Sequence, residues 1–321
     1  MDGKRSFLMG LSLSLVAGLL TSAVLFAQAP SSYPVGSEAD SLALLGADWH
    51  WTEVGEDAQA GWAQVSIFSS VQTISVVRFP ARKYHTELVN EDGPDAAVTS
   101  VMASRNGGIF AINGGYFTRE VTPSTFVKDD GEEISSTSEA EGFRVNGILL
   151  LDGKRKTRMR IISSLPSEQS SDAKRTEEAL TAGPMLIEDG VMLFDEKQAS
   201  SSFYGSPHPR SVVGYTLPGV APKGNLAFRD SSGRISVPEG PMVYFIVIDG
   251  RFPGQADGAT IPEAAFIARV LGLHDALNLD GGGSSTLWTE SLGVINHPCD
   301  NRLFDHEGEK KIPNILMVRP K

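Results

Sequence analysis

Along residues 64–79 apolar and polar positions alternate with a period of two, with Val65 and Ile67, then Ile74 and Val76, sharing faces. That pattern predicts a β-hairpin or two adjacent strands. Residues 95–106 change period. Ala96, Val98, Val101 and Met102 recur near helical spacing, with Asp95 as cap and Gly107-Gly108 as stop, so a helix is expected. It feeds the apolar run Gly108-Ile109-Phe110-Ala111-Ile112, which reads as a short buried strand. Residues 143–151, 158–162 and 212–215 read as further strands, and 183–191 as a hairpin around Glu188-Asp189-Gly190. Residues 243–248 are unbroken apolar residues of strand length, the pattern of a strand buried on both faces. Thr260-Ile261-Pro262-Glu263 opens a helix ending near Gly272, and 312–318 form the final strand. Between these elements, 118–141 is polar and acidic with a turn at Asp129-Asp130-Gly131. Residues 163–178 are rich in Ser, Glu and Lys without periodicity, as expected of a mobile surface insertion. No repeat and no linker divides 61–321. The expectation is an α+β fold: one mixed β-sheet domain with few helices.

The N-terminus has a different character. Lys4 and Arg5 precede an uncharged run from Phe7 to Ala27 and then Ala27-Gln28-Ala29. Residues 1–29 therefore read as a secretory signal peptide. The run is also long enough to span a bilayer, so an uncleaved signal anchor is the alternative. Either way the remainder is expected outside the cytoplasm: secreted, periplasmic or extracellular, with membrane contact only through that segment. Residues 30–60, polar with Trp49 and Trp51, read as an N-terminal arm.

Composition narrows the chemistry. With 41% hydrophobic and 21% charged residues the chain has ample material for a core. Its formal net charge of −11 argues against nucleic acid as a partner, so any phosphate must be held by locally concentrated arginines. Cys299 is the single cysteine, which rules out an internal disulfide and a Cys-type zinc site, and the six histidines lack metal-ligand spacing.

The densest chemistry lies in Leu277-Asn278-Leu279-Asp280-Gly281-Gly282-Gly283-Ser284-Ser285-Thr286. On a strand, Asn278 and Asp280 share one face. The glycines that follow permit a close backbone approach to a ligand, and successive N–H groups with the Ser284 and Ser285 hydroxyls can cradle an anion. A second apolar strand opens into Asn113-Gly114-Gly115-Tyr116-Phe117, placing amide and aromatic groups where a sugar could stack. Asp249-Gly250-Arg251 ends the strongly apolar strand, and His208-Pro209-Arg210 enters another. Two carboxylates at strand ends, Asp249 and Asp280, suit glycosidic cleavage, a hard metal ion, or simple turn capping. Arg210 and Arg251 offer planar forks for phosphate, and His208 suits either a proton donor near neutral pH or a plain turn before Pro209. Glu263 fits a helix capping box as well as a catalytic acid.

In this order these pieces, with Gly183-Pro184, Gly214 and the weaker Asn296-x-Pro298-x-Asp300, resemble the phosphodiester glycosidase family over roughly residues 60–320. The resemblance implies a phosphodiester-glycosidase-like catalytic domain over 61–321 and a carbohydrate or sugar-phosphate substrate. It implies an exported hydrolase that removes a sugar from a phosphodiester or cell-envelope glycan. Asp280 and Asp249 would share acid/base and stabilising work, with Glu263 as a further acidic candidate. Arg210 and Arg251 would bind phosphate beside Gly281, Gly282 and Gly283. Asn113, Gly114, Gly115, Tyr116, His208, Asn278, Ser284 and Ser285 would line the site. The resemblance fixes no cofactor, and a divalent metal ion stays open. Two other readings stay open: a non-catalytic glycan-binding or exopolysaccharide-assembly protein, and a metal-dependent phosphodiesterase.

Overall fold

The apolar run at 243–248 becomes a central strand of the largest sheet. The computed structural model describes residues 35–152, 159–163, 171–195, 198, 200–229 and 234–321, so the expected signal segment and residue 158 lie outside it. The eight-stranded sheet runs, in order, β1 (His50–Gly55), β2 (Ala58–Ile67), β3 (Ser70–Pro80), β14 (Met242–Ile248), β13 (Arg210–Tyr215), β15 (Asp275–Asn278), β11 (Met185–Glu188) and β12 (Val191–Met192). A second sheet is ordered β7 (Glu132–Ser135), β6 (Val127–Asp129), β10 (Glu178–Ala182), β8 (Gly147–Leu151), β9 (Met159–Ser163). The third is ordered β17 (Gly293–Val294), β16 (Leu287–Thr289), β5 (Phe110–Asn113), β18 (Asn314–Pro320), β4 (Tyr84–Asn90). Pairing is antiparallel in all three. Helices are few: α1 (Glu38–Gly46), α2 (Thr99–Arg105), α3 (Ser171–Arg175), α4 (Ser202–Gly205) and α5 (Ile261–Val270). The α+β class is therefore observed. None of these helices is long and apolar enough to cross a membrane.

The large sheet is the middle layer. On one face Tyr244, Ile246 and Ile248 pack with Val212 and Ala276 against Leu44 of α1, Tyr204 of α4 and the apolar side of α5. On the other, Val243, Phe245 and Val247 pack with Val213, Leu277 and Leu279 against residues of the two smaller sheets. The strand is buried on both faces because a layer covers each of them.

Several local expectations shift, each for a tertiary reason. The helix expected over 95–106 begins only at Thr99, and Val98 stands at its N-cap instead of Asp95. Gly93–Asp95 form a separate 3₁₀ turn, while Ala97 is held extended by a bridge to Ile312. Within the expected 30–60 arm, the described residues from 35 onward join the fold. A Ser37–Asp40 capping box starts α1, which buries Leu44, and β1 pairs with β2. The polar stretch 118–141 contains the β6–β7 hairpin, turning where expected with Asp130 at φ 47° and Gly131 at φ 83°. The expected insertion 163–178 carries α3 and, at Glu178, the start of β10; residues 164–170 lie outside the described set. The strand expected from 143 begins at Gly147, leaving Phe143 and Arg144 in a turn closed by Arg144 N–H to the Glu141 carbonyl at 3.0 Å.

β4 ends its sheet, so its outward amides need partners. The second sheet supplies carboxylates: Leu88 N–H donates to Glu178 Oε2 at 2.7 Å, and Asn90 N–H donates to Asp129. Burial, together with the charges of Asp129, Glu87 and Asp130, pushes the Glu178 carboxyl up to about 7 despite the Leu88 bond. A carboxyl raised by folding stabilises the native state at low pH, and that contribution disappears as pH climbs from about 4.5 to 7. Glu178→Gln keeps an acceptor for Leu88 without the charge. Its melting temperature should match wild type near pH 4 and exceed it near pH 8, by at most about 3 kcal/mol of stability. A flat difference across thermal melts from pH 4 to 8 would refute the account.

Candidate active site

β13 lies between β14 and β15 and brings their ends to one edge of the sheet. Arg210 pairs with Ile248 on one side, and Val212 pairs with Asn278 on the other. Asp249 and Asp280 therefore leave the sheet at the same end, from strands flanking β13. The third sheet joins them there. Asp280 N–H donates to the Gly114 carbonyl at 3.0 Å, and Asn113 Nδ2 donates to the Asp280 carbonyl at 2.7 Å.

The chain after Asp280 is shaped by contacts that exclude side chains. A Cβ at Gly281 would sit 2.6 Å from the Pro209 carbonyl oxygen. Gly282 has φ 63° and donates its N–H to that same carbonyl at 2.9 Å. At Gly283 a Cβ would lie 2.8 Å from Asp300 Oδ1 and 3.5 Å from Lys310 Cδ. Only glycine accommodates that combination of backbone conformation and close approach. The Arg251 guanidinium covers the turn, with Nη2 2.9 Å from the position of a Gly282 Cβ, and its Nη1 lies 3.7 Å from Cys299 Sγ. Arg251 has φ 70°, a left-handed conformation costly for a long side chain.

Asp280 is half-buried at this turn. Its carboxyl is pushed up to about 6 by burial, opposed by a hydrogen bond from Ser284 and by the positive charges of Arg144 and Lys310. Arg144 is aimed by Glu141, which pairs with its Nε and accepts from Ser124 Oγ at 2.9 Å. Its guanidinium lies 4.1 Å from the centre of the Tyr116 ring. Tyr116 is buried and donates its hydroxyl to the Gly183 carbonyl at 2.5 Å. Burial and the Asp280 charge raise the phenol well above its ordinary value, so it stays neutral. Three cationic side chains thus surround one carboxylate and a glycine turn: Arg144, Arg251 and Lys310.

Asp249 sits differently. It is 1% exposed, and its oxygens accept from Asn296 Nδ2 at 3.0 Å and His297 N–H at 3.1 Å, with His297 Nδ1 at 3.0 Å. Asn296 also donates to the Ser285 carbonyl and accepts from Leu287 N–H. Asp249 anchors the 296–300 loop behind the glycine turn, and it faces different neighbours from those of Asp280. Arg210 is 2% exposed and donates to three backbone carbonyls, those of Ala259, Phe203 and Ser206. Burial pushes it down to about 10. His208 is lowered by burial and by the nearby Arg210 and Arg251 charges, which keeps its imidazole neutral. Glu263 makes the full capping box with Thr260, its carboxylate accepting Thr260 N–H at 2.8 Å.

The remaining residues are structural neighbours of the turn. Asn113 accepts from Ser211 Oγ at 2.7 Å and Thr286 N–H at 3.2 Å. Asn278 Nδ2 meets Tyr116 Oη, the Gly183 carbonyl and the Leu279 carbonyl, while its buried Oδ1 has no partner. Gly115 N–H donates to Asn314 Oδ1 at 2.8 Å, and Ser285 Oγ is buried without a partner. Arg144 and Lys310 do not emerge from sequence patterns, because neither adjoins a glycine motif. The nearest signal is Glu141 three residues before Arg144, the spacing of a local ion pair. Two groups among the described residues could hold a metal ion, Asp189/His274/Asp275 and Asp129/Asp130/Glu178, and neither contains Asp249 or Asp280.

A family model described as phosphodiester glycosidase matches residues 106–319. No curated protein sequence matches the chain. Among solved structures, the zebrafish N-acetylglucosamine-1-phosphodiester alpha-N-acetylglucosaminidase catalytic domain, auto-inhibited by its pro-peptide, superposes with a TM-score of 0.57 at 15% identity. That match covers 86% of this chain and 89% of the zebrafish one. A hypothetical protein from Synechocystis gives 0.55 at 15% identity, over 82% of this chain and 62% of that one. A Burkholderia pseudomallei K96243 protein gives 0.51 at 14%, over 78% and 74%. At such identities the structures establish a shared fold.

The glycine turn yields a test. Gly107 also has positive φ, 72°, but open space around its Cα, whereas a Cβ at Gly282 meets Arg251. Alanine at either position should lower the melting temperature by a few degrees, reflecting about 1 kcal/mol of backbone strain. Inorganic phosphate should raise the melting temperature of wild type and Gly107→Ala, and of Gly282→Ala much less. Equal phosphate stabilisation in all three would count against the turn as an anion cradle.

Proposed function

The chain belongs to the phosphodiester glycosidase family, and from that premise we propose that it is an exported hydrolase that cleaves a sugar from a phosphodiester-linked or cell-envelope glycan. The observation that carries the proposal is the Asp280 carboxyl, raised to about 6 and placed among Arg144, Lys310 and the Gly282 turn. A phosphate monoester is a weakly basic leaving group with a second pKa of about 6, so it needs charge neutralisation more than protonation. Arg144, Arg251 and Lys310 neutralise it, and the arginines do so with paired hydrogen bonds. The Gly282–Gly283 backbone sits beside the same oxygens. Asp280, deprotonated above about 6, either activates water at the anomeric carbon or attacks it directly. The C–O bond then breaks, its electrons leave with the phosphate, and the anomeric carbon ends with an oxygen from water.

Asp249 acts by position in this reading. Its bonds to Asn296 and His297 fix the loop that carries Asp300 to Gly283. Arg210 secures the strand entry, through its carbonyl contacts, so that Pro209 can receive Gly282. Glu263 holds the start of α5, and no proton transfer is assigned to it. Export rests on the basic, apolar and small-residue order of residues 1–29.

Turnover of sugar-1-phosphodiesters in ¹⁸O-labelled water checks the bond that breaks. Label should appear in the free sugar and not in the phosphate. Label in phosphate would instead indicate a phosphodiesterase, and saturable glycan binding without product in a folded protein would indicate a binding module. The pH profile checks Asp280. As a base or nucleophile it gives a kcat/KM that rises with pH through about 6; as a proton donor it would give one that falls there. Arg144→Ala removes a charge that lowers the Asp280 pKa, so the rising limb should move to higher pH, with a rate loss on the order of 10²-fold or more. An unmoved limb would separate Arg144 from Asp280.

A further inference from the structure

β1 and β2 place a cross-strand aromatic pair on the sheet surface. His50 and Trp62 are register partners, with ring centroids 4.4 Å apart and planes at 30°. Beside them lies a cavity of about 290 Å³, bounded by Thr52 on the same hairpin, by Leu292 and Val294 around β17, and by His306. The catalytic arrangement above uses none of these side chains. Trp62 is 43% exposed and Leu292 47%, a wide apolar surface for so small a space. The indole N–H of Trp62 meets no protein acceptor among the described residues. His306 bonds through Nδ1 to the Asn296 carbonyl at 2.6 Å, which leaves Nε2 as its open nitrogen.

The lining is amphipathic in a specific way. Indole and leucine offer a flat apolar floor, while two imidazoles, one hydroxyl and one indole N–H supply polar contacts. No carboxylate or cationic ammonium lines it. A pyranose has the matching surface, with an apolar C–H face and a rim of hydroxyls. The volume lies just below the roughly 300–1,000 Å³ of sites for drug-sized ligands, which suits one ring. One loop borders both the cavity and the candidate site. The 296–310 loop supplies His306 to the cavity, and its Asp300 and Lys310 lie against Gly283. His306 packs 4.6 Å from the His297 ring, which bonds Asp249.

We propose that the cavity beside Trp62 is a glycan subsite that binds one pyranose ring of an oligosaccharide whose terminal sugar phosphodiester occupies the Asp280 site. The proposal rests on the glycosidase reading for the second half of that statement, whereas oligosaccharide binding at Trp62 is measurable by itself. The substrate class it names is a chain of sugars, and recognition then depends on length.

Isothermal titration calorimetry on the full chain carrying Asp280→Asn, with glucose and N-acetylglucosamine oligomers of increasing length, tests it. Affinity should rise roughly tenfold from the monosaccharide to the longer oligomers of at least one series. Trp62→Ala in that background should abolish the gain, and Leu292→Ser should reduce it, with melting temperatures lowered by no more than a few degrees because Trp62 is 43% and Leu292 47% exposed. Length-independent affinity, no binding by any oligomer, or a Trp62→Ala protein that retains the gain would overturn the subsite. Length-dependent binding by a protein whose wild type releases no sugar would retain the subsite and remove the hydrolase. Turnover of single-sugar phosphodiesters without any length effect would do the reverse.

Discussion

The carboxamide of Asn113 bonds at once to Ser211 of the large sheet, to Thr286 beyond the glycine turn and to the Asp280 carbonyl. These partners come from segments 98, 173 and 167 residues away in sequence. The group is fully buried, so losing any partner would leave a polar atom stranded at about 1–3 kcal/mol. That penalty is what keeps two sheets in register at the end that carries Asp280. With Asn113 in place, Gly114 can receive the Asp280 amide, and the carboxylate emerges in one orientation.

Placing a carboxylate there opposes stability. Burial raises the Asp280 pKa, and the Ser284 bond with the Arg144 and Lys310 charges restores only part of the cost. Arg144 has its own support in Glu141 and Ser124, and it lies over a tyrosine held neutral by burial. The cations therefore belong to a network assembled from the second sheet's approach, the 296–310 loop and the strand end at Arg251. A polar cluster of this kind is stable only when each member is partnered, and the bonds of Asp249, Asn296 and Arg210 meet that condition around its base. The unpartnered Oδ1 of Asn278 and Oγ of Ser285 depart from it beside the turn.

The fold explains why two aspartates of similar local sequence sit in different surroundings. Both precede glycine at the end of an apolar strand. Residues alternate across the sheet, so Asp249 follows Val247 onto the side shared with the smaller sheets. Asn278 and Asp280 continue the Ala276 side, toward the helices. Asp249 is consequently sealed by Asn296 and His297, while Asp280 meets Tyr116, Arg144 and the open turn.

The family was legible as a resemblance carried by several motifs in order, and sequence patterning alone determined the buried central strand, the Thr260–Glu263 helix start and the glycine turn after Asp280. These features depend on short-range properties: apolar run length, capping chemistry and the conformations that only glycine adopts readily. Tertiary structure decided the rest. It drew residues 38–60 into the core through Leu44 and the β1–β2 pairing, and it held 96–98 extended against Ile312, so that α2 starts late. It also chose which charged residues face Asp280. Arg144 and Lys310 are 166 residues apart and adjoin no glycine motif, so their convergence depends on how three sheets stack, a long-range constraint that no local pattern encodes.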